Sequence, residues 1–76
     1  MAKRTSALTP EERQALSRNL IERLAALELS QAELARRVGA HGSTVNGWLQ
    51  CEYAPSTEMI RRLARVLHVK PQELLR

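Results

Sequence analysis

The chain has 76 residues and a single cysteine, Cys51, so no disulfide can form within it and no thiolate-rich zinc site can be built. A reducing compartment suits such a chain, and a cytoplasmic location is the expectation. Aromatic residues make up only 3% of the sequence, Trp48 and Tyr53 with no phenylalanine. The core must therefore come from Leu, Ile, Val, Ala and Met, a set that suits packed helices better than sheets. No segment alternates in hydrophobicity for long enough to read as a strand. No apolar run approaches the length of a membrane span, and no apolar stretch follows Lys3 and Arg4, so neither an anchor nor a secretory leader is expected. Internal repeats and low-complexity tracts are also absent.

Hydrophobic residues at 43% and charged residues at 26% place the chain among ordinary globular sequences, with room for one core. Its formal charge of +4 attracts polyanions, nucleic acid first and an anionic membrane surface second.

Residues 1–8 are small and basic, without apolar periodicity, and read as a flexible arm before a domain over 9–76. Thr9-Pro10-Glu11-Glu12 then sets a hydroxyl at an N-cap, proline at the first helical position and glutamate at the third, which opens a helix. Leu16, Leu20, Ile21, Leu24 and Leu27 form its apolar stripe, with Arg13, Arg18, Glu22 and Arg23 facing water, to about Glu28. Ser30-Gln31-Ala32-Glu33 repeats the capping pattern before a short second helix with Leu34, Ala35 and Val38 inside. Gly39 stops that helix, because a left-handed turn is costly for any residue with a Cβ. A third short helix over 41–50 turns Val45, Trp48 and Leu49 inward and Ser43, Asn46, Gly47 and Gln50 outward. After a loop, Ser56 caps a fourth helix lined inside by Met59, Ile60, Leu63, Ala64 and Leu67, and Pro71 starts a last turn through Leu74 and Leu75.

Two short helices that cross closely need a small residue at the approach, Ala35, a glycine at the turn, Gly39, and large apolar groups to lock the pair, Leu34, Val38, Val45 and Trp48. The outer face of the second helix is then able to enter a major groove. This spacing resembles the helix-turn-helix of the Cro and lambda-repressor family, also called the xenobiotic-response-element family. The landmarks Trp48, Pro55-Ser56, Leu63-Ala64 and Leu67-x-Val69 extend the likeness over Leu16 to Leu75.

The resemblance implies an all-α, compact five-helix bundle of the lambda-repressor-like DNA-binding type, with the motif at residues 30–50 and binding to double-stranded DNA as a homodimer. It implies that Gln31 grips phosphate and that His41, Gly42, Ser43, Thr44, Asn46, Gly47 and Gln50 face base edges. Of these, Asn46 and Gln50 are the best readers, since a side-chain amide bonds bidentately to adenine. Lys3 and Arg4 either reach into a groove as an arm or form a solvated tail. Val66, Val69, Leu74 and Leu75 are candidates for the dimer contact.

Family members commonly carry a hydroxyl residue where His41 stands, arginine near Gly42 or Gly47, and glycine where Cys51 stands. Here no Lys or Arg occurs from Ala40 to Ala54, and the cations lie on the arm, on Arg36 and Arg37, and on Arg61, Arg62 and Arg65. Two readings follow. One is a sequence-specific transcriptional regulator, a repressor. The other is a protein-interaction module, an antitoxin or adaptor subunit, with weak or no DNA reading. His41, His68 and Cys51 lack paired zinc spacing, and so small a chain encloses no substrate pocket, so no metal, cofactor or enzymatic activity is expected.

Overall fold

Thr9, Ser30 and Ser56 each lie in extended backbone at the head of a helix, where their hydroxyls accept the amides of Glu12, Glu33 and Met59. At the first two caps the glutamate carboxylate accepts the cap's own amide in return, at 3.0 Å in each case. Such caps are worth about 1 kcal/mol each. They head three of the four α-helices in the computed structural model, which describes residues 8–76. These helices are α1 (Pro10–Leu27), α2 (Gln31–Val38), α3 (Gly42–Leu49) and α4 (Thr57–Leu67), followed by a 3₁₀ turn over Pro71–Leu75. No strand occurs among the described residues.

At their C-terminal ends α1, α2 and α4 are closed by backbone amides at the left-handed residues Glu28, Gly39 and His68, and side chains from other elements add to the ends of α2, α3 and α4. Ser17 Oγ donates to the carbonyl of Leu49 at 2.7 Å, Arg23 Nη2 to that of Leu67 at 2.9 Å, and Arg62 Nη1 to that of Val38 at 3.4 Å. The Asn19 amide donates to the carbonyls of Glu73, Leu74 and Arg76. Helix α1 thus holds the last residues of α3, α4 and the C-terminal turn, satisfying carbonyls that a helix end leaves without a partner.

The core gathers Leu16, Leu20 and Leu24 of α1, Leu34, Ala35 and Val38 of α2, Val45 and Trp48 of α3, Ile60, Leu63, Ala64 and Leu67 of α4, and Leu74. Each fully buried leucine contributes about 1.5–3 kcal/mol from area removed from water. Helix α1 packs on α3, α4 and the C-terminal turn, and α2 packs on α3 and α4.

Several expectations are corrected. The bundle has four α-helices rather than five; its last segment is a 3₁₀ turn, started by Pro71 and held by the Asn19 amide on the carbonyls at its end. Ile21, placed in the buried stripe, is 54% exposed, because it lies about 100° around the helix from Leu20. Arg13 and Arg23, placed in water, are half-buried. Leu8, placed in the arm, packs against the core, and Leu74 is 1% exposed and so offers no dimer contact in this fold.

Candidate nucleic-acid interface

Two links fix how α3 is presented. Its last carbonyl is held by Ser17, and its first turn is met by Gln31, whose Nε2 donates to the Gly42 carbonyl at 3.5 Å. Val45 and Trp48 anchor the inner side in the core. Ser43, Asn46, Gly47 and Gln50 follow each other at i, i+3, i+4 and i+7, so they share one outer stripe. Along it Ser43, Asn46 and Gln50 are exposed, as are His41 and Gly42 at the head of the helix, while Thr44 is half-buried at its side. His41 is the N-cap of α3 but makes no side-chain bond to the helix. The positive end of the α3 dipole therefore meets solvent without the acidic or hydroxyl cap that α1, α2 and α4 carry.

Gly47 departs from the expected pattern. It is buried, and a Cβ built on it would fall within the ring of Tyr53. Tyr53 reaches back from the loop after α3, and its hydroxyl donates to the Ser43 carbonyl at 3.2 Å. The ring thus lies along the outer stripe from Ser43 to Gly47, one helical turn. Gly47 is not an exposed reading position; it makes room for an aromatic ring. Sequence reasoning passed over Tyr53 because the loop carries no periodic signal. The available hint was a glycine in mid-helix with an aromatic residue six positions later.

Cys51 stands where the family commonly has glycine, and its φ of 61° is the left-handed conformation that favours glycine. Its thiol lies 3.7 Å from the Arg13 carbonyl, so the departure in sequence is accommodated with the backbone turn intact.

Charge is absent from the stripe and concentrated elsewhere. Arg36, Arg37, Arg62 and Arg65 line an open cleft of about 380 Å³ beside Gly39, between the end of α2 and α4. Arg62 lies 3.9 Å from the Glu58 carboxylate. At the opposite end of α2, Glu33 is held below the ordinary carboxylate value, chiefly by accepting the Ser30 amide and further by the charges of Arg36 and Arg37. Lys3 and Arg4 lie outside the described residues. Among the described residues no three metal-ligating side chains come together, and no helix is long and apolar enough to cross a membrane.

Two eight-residue helices joined through Gly39, with the second anchored inward by Val45 and Trp48 and exposing Ser43 and Asn46 outward, define a helix-turn-helix domain. The family profile HTH_3, a helix-turn-helix, matches residues 20–74, and the chain belongs to this family, of the Cro/C1 type. Among solved structures, a hypothetical transcription factor, NHTF, from Neisseria superposes with a TM-score of 0.82 at 26% identity, covering 86% of this chain and 73% of that one. The restriction-modification controller protein C.AhdI from Aeromonas hydrophila superposes with a TM-score of 0.75 at 32% identity, covering 82% of this chain and 94% of that one. Hydroxypropylphosphonic acid epoxidase from S. wedmorenis gives a TM-score of 0.81 at 23% identity over 90% of this chain, but only 36% of the epoxidase is covered, and the likeness is one of fold alone. No curated protein matches the sequence.

Proposed function

We propose that this chain is a sequence-specific double-stranded DNA-binding regulator of transcription, a cytoplasmic repressor that acts as a homodimer with α3 in the major groove. The observation that carries the reading is the α3 stripe. Asn46 on the short helix α3 and Gln50 at its C-cap stand exposed, while the inner face packs in the core, Ser17 holds the last carbonyl and Gln31 meets the first turn. Membership of the helix-turn-helix family and the likeness to a transcription factor and a controller protein support it. Asn46 and Gln50 supply amides for adenine edges, with Ser43 beside them. Gln31, His41, Thr44 and the uncapped head of α3 at Gly42 contact phosphate, and Lys3 and Arg4 add charge from the arm. Two copies would place their α3 helices one helical turn of DNA apart, about 34 Å.

Selection of bound duplexes from a random pool at moderate salt tests this. A preferred sequence is expected, and Asn46→Ala and Gln50→Ala each relax it at different positions. Binding with no preference over random competitor refutes the proposal.

One observation favours a second reading, a protein-interaction module. The cations of Arg36, Arg37, Arg62 and Arg65 gather around the cleft between α2 and α4 and not on α3, an arrangement that fits an acidic protein surface. On this reading the random pool yields no preferred duplex.

A further inference from the structure

We infer that Tyr53, outside the helix-turn-helix, belongs to the DNA-reading surface and recognises the 5-methyl group of a thymine; the inference rests on the proposed reading of duplex DNA by α3. The ring covers Gly47 and its hydroxyl is bonded to the Ser43 carbonyl, so it spans one turn of the stripe that would enter the groove. What approaches the backbone of α3 at Gly47 meets the ring first. If the stripe docks in a groove, the ring docks with it.

The chemistry of the ring then narrows what it can read. Its hydroxyl proton is directed at the Ser43 carbonyl 3.2 Å away, its oxygen can still accept, and the rest of the ring presents carbon to an approaching surface. In the major groove the base edges carry donors and acceptors, for which the Asn46 and Gln50 amides are suited. The apolar group there is the thymine methyl. Tyr53 remains 46% exposed after covering Gly47, and it is one of two large hydrophobic side chains exposed among the described residues. The other, Ile21, is on α1. A purely packing role for Tyr53 accounts for the glycine but not for the exposed remainder of the ring. It also places no demand on any base.

The test uses the full chain and the duplex it selects. Each thymine is replaced singly by uracil, which deletes the methyl and keeps the hydrogen-bonding edge. At one position the wild-type chain is expected to lose about fourfold in affinity, the effect of removing one buried methyl. Tyr53→Phe, which keeps the ring, should show the same loss. Tyr53→Ala should bind the thymine duplex more weakly and be indifferent to that uracil; circular dichroism establishes that it is folded. Should Tyr53→Ala fail to fold, Tyr53→Gln, which keeps bulk without the apolar ring, is measured in its place and should show the same indifference. The inference is overturned if no uracil weakens the wild type, or if the substituted chain keeps the full uracil penalty. A wild-type chain that selects no duplex overturns the groove-reading proposal and this inference together, whereas selection without a Tyr53-dependent uracil effect overturns this inference alone.

Discussion

Ser17 Oγ lies 2.7 Å from the carbonyl oxygen of Leu49, tying the middle of α1 to the last residue of α3 across 32 positions of sequence. Ser17 is a buried polar residue, 8% exposed, and this bond accounts for its burial. Ser17→Ala leaves the Leu49 carbonyl without its donor. A loss of about 1–3 kcal/mol in unfolding free energy is expected, read from urea denaturation at neutral pH. A value near zero would show that the link does not hold α3 in place.

Gly39 closes α2 at a φ of 78°, and the nearest atom to a Cβ built there is Arg62 Nη1 at 3.7 Å, an ordinary contact. Space is therefore available and only the backbone conformation objects. Gly39→Ala should lower stability by about 1–2 kcal/mol, the cost of a left-handed residue with a Cβ. Gly39→Asn should recover part of it, since asparagine tolerates that region. Thermal unfolding of the three proteins checks the order.

Gly47 and Tyr53 should be energetically coupled. In a Tyr53→Ala background, Gly47→Ala fills vacated space and gains the helix preference of alanine, about 1 kcal/mol of added stability. With Tyr53 present the new Cβ must push the ring away, breaking its contact with α3 and its bond to the Ser43 carbonyl. The gain then shrinks or changes sign. A double-mutant cycle by chemical denaturation measures the difference, and simple additivity would contradict the packing described.

Glu33 carries a pH dependence. Its carboxyl is held below the ordinary value in the fold, mainly by the Ser30 amide. The stabilisation is fully present above the ordinary carboxylate range, where the group is ionised in both the folded and unfolded states. As pH falls through that range the unfolded chain takes up the proton first, and the contribution is gone below the folded value. Glu33→Gln should be less stable than wild type at neutral pH, with the gap closing as the solution is acidified. Urea midpoints of the two proteins across acid pH give the comparison; a gap that persists in acid would point to a loss unrelated to ionisation.

Local signals were the readable part of this chain. The starts of α1, α2 and α4 were legible because a cap and the amides it serves lie within four residues, as at Thr9 and Glu12 or Ser30 and Glu33. The inner faces of α2 and α4 were legible from spacing, and so was the outer position of Asn46 and Gln50. Ile21 shows the limit of the same rule. A helix of 18 residues offers more apolar positions than its neighbours can cover, and the sequence does not say where the covered arc ends.

The remaining features come from residues that meet only after folding. Arg23 reads as a surface cation until α4 places the Leu67 carbonyl against it, and Asn19 gains its role only when the C-terminal turn arrives. Gly47 reads as an open position on a recognition helix until the loop brings Tyr53 across it. The order of amino acids was enough to specify the helices, the turn at Gly39 and the helix-turn-helix frame, because these depend on torsion preferences and bonds a few residues long. Packing set the angle of α3, the side-chain bonds at the ends of α2, α3 and α4 and the surface that α3 presents, because those depend on which distant groups fill the same space.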